Sequence, residues 1–320
     1  MSGGPARPRS ERVICVLAGG VGAARMLTGL CQVVPPALMT AIVNVGDDLE
    51  LHGLHISPDI DTIVYTLAGA ANPGTGWGLA DETWNAMDSL ARYTGEGWFR
   101  LGDRDLGTHM FRTGRLAEGA DLATVTAEIA AAWGLEVNLV PVTNDPLRTK
   151  VTIDDGTEVD FQDYFVRLRH SVAVRSVRFD GDDSAQPAPG VIEALQLART
   201  IVIAPSNPIV SIGPLLAVRG IREVLETRRD RVIAVSPIVA GAALKGPADR
   251  MLRELGHQST VAGVARLYRD IASVLVIDDA DAALGPAVES EGIGCLVTPT
   301  VMSDPVAAGS LARVVLGATG

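Results

Sequence analysis

Val16–Leu30, VLAGGVGAARMLTGL, sets Gly19, Gly20 and Gly22 between an apolar strand-like run and a helix-like one. Such a turn aims backbone N–H groups and a helix N-terminus at one point, which suits a phosphate. A dinucleotide fingerprint needs G-x-G-x-x-G or a terminal Ala. From Gly20 the pattern runs Gly20, Gly22 and then Arg25, a large cation where close helix packing wants no side chain. Starting instead at Gly19 gives G-G-x-G, which keeps the amides without the dinucleotide signature. No G-K-[ST] follows, so the usual ATPase lysine is missing. A phosphate or diphosphate site and a plain tight βα turn both remain open at this point.

Outward from that turn, short β-branched runs alternate with amphipathic segments: RVICVLA, ALMTAIVNV, LEVNLVPV, TIVIAPSN, RVIAVSPIV, SVLVIDD and IGCLVTPT. Continuous apolar strands separated by helical patterns predict a parallel sheet covered on both faces, a doubly wound, Rossmann-like α/β fold. The middle differs. KVTIDDGTEVDF alternates around Asp155-Gly156 as a hairpin does, and SVAVRSVRF continues the antiparallel character. Before it, ADETWNAMDSLARYT and ADLATVTAEIAAAWG carry helical spacing, with Asp121 as an N-cap. The expected organisation is a core of residues 11–74 and 191–320 with a smaller α+β portion, 75–190, inserted in it. The acidic, proline-bearing DGDDSAQPAPG is the expected exit linker, and residues 1–10, MSGGPARPRS, read as a disordered lead-in.

Composition narrows the function classes. With 47% apolar and 20% charged residues over 320 positions, the chain is a globular protein with a sizeable core. No apolar run approaches the roughly 18 residues that span a bilayer, and residues 1–10 lack the apolar central segment expected of a secretion signal. A net charge of −11 disfavours nucleic acid and anionic membrane partners, which need clustered cations. Cys15, Cys31 and Cys295 show no metal spacing and are expected in core packing, in a cytoplasmic protein. Only Lys150 and Lys245 are lysine among the 27 basic residues, which bears on genome composition rather than chemistry.

Four further segments carry candidate chemistry. In NVGDD, Asn44, Asp47 and Asp48 close the second strand, where one acid would hold a ribose, two could hold a divalent cation, and a solvated turn is the plain alternative. In HISPDIDTIVYTLAG, Ser57 suits an N-cap and Pro58 the first helical position, while Ile60, Ile63, Val64 and Leu67 share a face. Asp59 then complements the helix dipole. Asp61 is expected to point into the crevice and, with Asp47 and Asp48, to hold Mg2+ or to act as a base towards a hydroxyl. RLGDRDLGTH crowds charges around Arg104, suited to an anion or a flat carbonyl-bearing ring, unless the segment is a solvated loop. His52, His55 and His109 lack zinc-ligand spacing and are expected as structural groups or polar substrate contacts. IAPSNPIVSIGP places Ser206, Asn207 and Pro208 at a strand's carboxyl end, where doubly wound sheets bind ligands, and VSPIVAGAALKGPA brings Ser236, Lys245 and Gly246 towards the same crevice.

Taken in register, LAGGVGAARMLTGL, NVGDD, ISPDIDT, LGDRDLGTH, FQDYFV, PSNPIVSIGP and VSPIVAGAALKGPA resemble the 2-phospho-L-lactate transferase family of coenzyme F-420 biosynthesis, nearest its mycobacterial-type phosphoenolpyruvate transferase branch. The resemblance runs from about residue 13 to 310. It implies an Mg2+-dependent phosphotransferase-type transferase (EC 2.7.8 class). Such an enzyme joins the deazaflavin Fo to a phosphoenolpyruvyl or 2-phospholactyl group carried on guanosine diphosphate, and it releases GMP. By that resemblance Gly19, Gly20, Gly22, Ser206, Asn207 and Pro208 lie at the donor, and Asp61 and Arg104 hold Fo. The residue reading adds Asn44 to the donor side and His109 to the Fo side, and expects Asp47, Asp48 and Asp61 to hold the metal and serve catalysis. A homodimer is expected. The rival readings are a nucleotide-sugar-binding regulator of the same superfamily, which shares the glycine turn, and an NAD-dependent oxidoreductase, against which Arg25 weighs.

Overall fold

In the computed structural model, which describes residues 14–94 and 98–318, seven strands make one parallel sheet. They are β1 (Ile14–Ala18), β2 (Met39–Val43), β3 (Asn138–Pro141), β4 (Thr200–Ile203), β5 (Val232–Val235), β6 (Val274–Ile277) and β7 (Gly294–Val297), in the spatial order β7-β6-β5-β4-β1-β2-β3. Every residue of β1 is buried, which is why the strand reads as an unbroken apolar run instead of alternating. β1 pairs in register with β2 from Ile14↔Met39 to Ala18↔Val43, and with β4 from Ile14↔Thr200 to Leu17↔Ile203. The chain order therefore reverses between β1 and β4. In doubly wound sheets ligands bind at such a reversal, outside the carboxyl ends of the strands, where the expected ligand site lies.

Helices α1 (Gly20–Leu30), α2 (Pro58–Leu67), α3 (Asn85–Thr94), α4 (Asp105–Ala117) and α5 (Leu122–Ala132) follow in the first half. α1 lies so close to the C-terminal helix Pro305–Gly317 that a Cβ on Gly29 would stand 2.3 Å from the Ala308 carbonyl oxygen. That helix starts as its sequence dictates, with Asp304 accepting from the Ala307 amide and Pro305 at the first position. Asp121 likewise caps α5 through the Thr124 amide.

The middle segment departs from expectation in one respect. β3 falls inside 75–190 yet is the edge strand of the main sheet, paired with β2 from Thr40↔Asn138 to Val43↔Pro141. The segment is thus threaded through the core sheet and is not an insertion beside it. Beyond β3, Arg148–Ile153, Glu158–Asp160 and Val174–Asp180 form a three-stranded antiparallel sheet. Gly156, at φ +88, makes the turn the Asp-Gly pair predicts. Val151 and Ile153 from this sheet share a small core with Phe161, Tyr164, Val174, Val210 and Met251, which joins it to the segment after β4.

The expected exit linker is also corrected. The Ala188 amide donates to the Val142 carbonyl at 2.9 Å, the Gln186 amide to Asp145 Oδ2 at 2.8 Å, and Ala185 and Ala188 are buried. Backbone pairing there outweighs the polar composition. The lead-in 1–10 lies outside the described residues. Among the described residues no helix is long and apolar enough to cross a membrane. All three cysteines are free, and burial pushes the Cys15 thiol up to about 12, as a packed core thiol requires.

Candidate active site

The glycine turn is where three elements converge. Gly20 holds φ +71, a left-handed conformation that glycine adopts without strain. A Cβ on Gly22 would lie 2.3 Å from the Pro205 carbonyl oxygen, and one on Gly19 would lie 2.8 Å from Ser211 Cβ and 2.9 Å from Asp59 Oδ2. Ser206 Oγ donates to the Gly19 carbonyl at 2.7 Å. Asn207 Oδ1 accepts from the Ile209 amide at 2.9 Å, and the buried Pro208 follows at the first position of that helical turn. The structure thus brings together Gly19, Gly20, Gly22, Ser206, Asn207 and Pro208 at the reversal between β1 and β4.

On the β2 side of the turn the site is acidic. Asn44, fully buried, donates from Nδ2 to Asp59 Oδ2 at 2.9 Å and accepts the Gly46 amide on Oδ1 at 2.8 Å. Asp59 also accepts from the Gly20 amide. Asp48 Oδ2 takes hydrogen bonds from Ser57 Oγ at 2.8 Å and His55 Nε2 at 3.0 Å. The other oxygens, Asp47 Oδ1 and Asp48 Oδ1, are buried without a hydrogen-bond partner. Burial and the charges of Asp59 and Asp48 push the Asp47 carboxyl well up, and burial raises Asp59 to about 6 against the opposing Asn44 bond. Orphaned carboxylate oxygens among mutually repelling acids fit a divalent cation. Asp47 and Asp48 are the residues able to hold one.

The expected third ligand is elsewhere. Residues two apart on a helix lie about 200° apart around it, so Asp59 and Asp61 face different neighbours. Asp61 Oδ1 meets Arg112 Nη2 and Oδ2 meets Arg112 Nη1 at 3.2 Å, both side chains buried. His109 Nδ1 is 3.2 Å from Arg112 Nη1 and 3.7 Å from Asp61 Oδ2. Because a guanidinium only donates, His109 accepts on Nδ1 and carries its proton on Nε2, which lies 3.4 Å from Asp105 Oδ2. Tyr65 donates to Asp105 Oδ1 at 2.5 Å. Burial pushes the Asp61 carboxyl up while the Arg112 guanidinium pulls it back. The set Asp47, Asp48 and Asp61 therefore does not converge, and among the described residues no three His, Cys, Asp or Glu side chains form a metal cluster.

Several charges of RLGDRDLGTH turn out to be structural. Asp103 accepts the Asn85 and Ala86 amides at the start of α3, and Glu82 accepts the Arg104 and Asp105 amides at the start of α4. Arg104 is exposed and donates to the Ala80 carbonyl at 2.8 Å, and it bonds neither Asp61 nor His109. Ser57 sits at the N-cap of α2 as expected, but its hydroxyl goes to Asp48 and caps no amide. Ser236 closes its own turn through the Ile238 amide and carbonyl. Sequence reading missed Arg112, it read Asp59 as a dipole partner only, and His55, expected as a structural group or polar contact, bonds Asp48. The one signal for Arg112 is an arginine three residues after His109, on the same helix face.

The family model described as 2-phospho-L-lactate transferase CofD matches residues 14–289. Phosphoenolpyruvate transferases are similar over almost the whole chain. That of Streptomyces griseus is 44% identical over 308 residues, 95% of this chain and 97% of its own. That of Nocardia farcinica is 41% identical over 325 residues (98% and 96%), and that of Mycolicibacterium smegmatis 39% over 322 (96% and 98%). In fold, the chain resembles the crystal structure of a UPF0052-family protein from Bacillus halodurans with a TM-score of 0.62. That likeness covers 96% of this chain and 99% of that one at 19% identity.

Proposed function

We infer the function from the premise that this chain belongs to the 2-phospho-L-lactate transferase CofD family. It is a transferase of coenzyme F-420 biosynthesis, and the name its relatives share favours phosphoenolpyruvate over lactyl phosphate as the group moved. In the reading we propose, the terminal ribityl hydroxyl oxygen of Fo bonds to the phosphorus that bears the enolpyruvyl group. The bond from that phosphorus to the bridging oxygen breaks, and GMP leaves with the electron pair.

The observation that carries this reading is the juxtaposition of the glycine turn with the buried, partly unpartnered carboxylates of Asp47 and Asp48. The Gly19–Gly22 amides cradle the diphosphate, and Ser206, Asn207 and Pro208 flank it. Asp47 and Asp48 would hold Mg2+, which when bound offsets the charge that phosphoryl transfer spreads over non-bridging oxygens. Asp59, raised to about 6 beside the turn, takes the hydroxyl proton; an acceptor near neutrality suits that step. Arg112 occupies both oxygens of Asp61, so Asp61 holds Fo as a fixed acceptor and is neither base nor metal ligand. His109 and Arg104 complete the acceptor side. Unpaired cysteines are consistent with a cytoplasmic setting.

Incubation of purified protein with Fo, Mg2+ and enolpyruvyl-diphosphoguanosine is expected to give GMP and a deazaflavin heavier by the phosphoenolpyruvyl group. Absence of product with both the enolpyruvyl and the lactyl donor overturns the reading.

A further inference from the structure

The glycine turn separates two poles of charge. Asp47, Asp48 and Asp59 lie on its β2 side; on the other stand Arg25, from the second turn of α1, and Lys245, from the loop after β5. Arg25 is half-buried, and its Nη1 donates to the Met302 carbonyl at 3.2 Å. Lys245 Nζ donates to the Thr75 carbonyl at 2.8 Å. A Cβ on Gly76 would lie 2.8 Å from Lys245 Nζ and 3.1 Å from Val21 Cγ1, so the ammonium and the side chain of Val21 in the glycine turn both border Gly76. Arg25 stands one helical turn after Val21 on the same face of α1, and partial burial together with its charge holds the Lys245 ammonium below its usual range.

Neither has a carboxylate partner among the described residues, although the chain carries 38 acids to 27 bases. The other lysine, Lys150, pairs with Asp160, and Arg100, Arg112, Arg115, Arg178, Arg250, Arg253 and Arg266 all meet acids. Guanidinium offers five N–H groups and ammonium three, and the bonds to Met302 and Thr75 leave most of them unused. Two adjacent cations held by neutral carbonyls repel each other, and an anion between them removes that cost.

We propose that Arg25 and Lys245 form an anion site for the phosphate next to the nucleoside, the one that departs with the leaving group. The inference rests on the donor reading above. Fo and the phosphorus it attacks belong beside the carboxylates, so the neighbouring phosphate extends across the turn towards Arg25 and Lys245. Charge builds on that phosphate as its bond to the transferred phosphorus breaks, and fixed cations there act on the transition state. Arg25, the residue that spoils a dinucleotide fingerprint, thereby serves a single nucleotide.

The test is calorimetric titration of the full chain with guanosine, GMP, GDP, enolpyruvyl-diphosphoguanosine and inorganic pyrophosphate. The wild-type chain is expected to bind GMP at least about tenfold more tightly than guanosine. Arg25→Gln and Lys245→Gln each remove most of that difference and weaken pyrophosphate equally, with guanosine unchanged and Arg25→Lys partly restored. Lys245 is exposed, so its variant keeps the fold and its loss cannot be misfolding. GMP and pyrophosphate binding unchanged in both Gln variants overturns the proposal. So does a loss confined to the extra affinity of enolpyruvyl-diphosphoguanosine over GDP, which would place the acid's own carboxylate at these cations. Pyrophosphate binding that depends on both cations, without binding of any guanine nucleotide, keeps the anion site and removes the donor reading.

Discussion

Asn44 Nδ2 donates to Asp59 Oδ2 at 2.9 Å, joining the end of β2 to the first turn of α2 directly beneath the glycine turn. A donor to a carboxylate favours its charged form, so Asn44 opposes the burial that raises Asp59. Replacing Asn44 with Ala should raise the Asp59 carboxyl above its value of about 6. If Asp59 accepts the Fo proton, kcat/KM of the wild type falls on the acid side near pH 6, and the Asn44→Ala limb moves up by about one pH unit. Profiles that superimpose would remove Asp59 from proton transfer.

The same shift has a consequence for stability. Asp59 has a folded-state value of about 6 against an ordinary 3.8, so the native state holds this proton more tightly than the unfolded chain. Stability from Asp59 is therefore greatest below pH 4 and is lost as pH rises through about 6, by about 1–3 kcal/mol. Asp47, also raised, acts with the same sign. Urea denaturation of metal-free protein should show a smaller pH dependence between 4 and 7 in Asp59→Asn than in the wild type. Added Mg2+ should stabilise more at pH 7.5 than at pH 5, because it needs the ionised carboxylates. Equal stabilisation at both would contradict a cation at Asp47 and Asp48.

The Arg112–Asp61 pair supports a third prediction. Arg112 has no exposed surface, and truncating it leaves an unpaired buried carboxylate. Arg112→Met should cost about 3–5 kcal/mol in chemical denaturation, and adding Asp61→Asn should recover much of that loss. Asp61→Asn alone should weaken Fo binding, seen by deazaflavin fluorescence, while leaving GMP binding intact. Additive losses in the double variant would show that the pair is not coupled.

The sheet was legible in the sequence because its inner strands are buried on both faces and read as apolar runs, as in ICVLA and TIVI. The crevice followed from the glycines and the PSNP loop, whose rigid residues punctuate strand ends. The division between Asp59 and Asp61 was not legible. Helical spacing says that they face apart, but only the packing of α4 against α2, with Arg112 projecting from it, decides which one turns from the crevice. The role proposed for Arg25 was hidden for a similar reason, since Met302 meets Arg25, and Thr75 meets Lys245, from distant parts of the chain. In LGDRD, capping by Asp103 and Glu82 mimicked a functional cluster, because structural and catalytic carboxylates look alike until their amide partners are known.

Glycines on two elements give a contrast in which the predicted signs differ. At Gly22 an added Cβ meets the Pro205 carbonyl oxygen at 2.3 Å, a backbone atom that can move only if the whole Pro205–Asn207 turn moves. That turn carries Ser206, whose hydroxyl holds the Gly19 carbonyl, so one methyl group would open the loop against which the phosphate is cradled. Gly114 is exposed in the middle of α4, with nothing within 4 Å of an added Cβ and no left-handed backbone to preserve. Gly22→Ala is expected to destabilise by about 1–3 kcal/mol and to abolish GMP binding. Gly114→Ala should stabilise by about 0.5–1 kcal/mol with binding unchanged, because alanine replaces glycine in an unstrained helix. Paired urea denaturation and GMP titration decide the matter: a Gly22→Ala variant that binds GMP normally would show that the close approach of these two loops is not what holds the nucleotide.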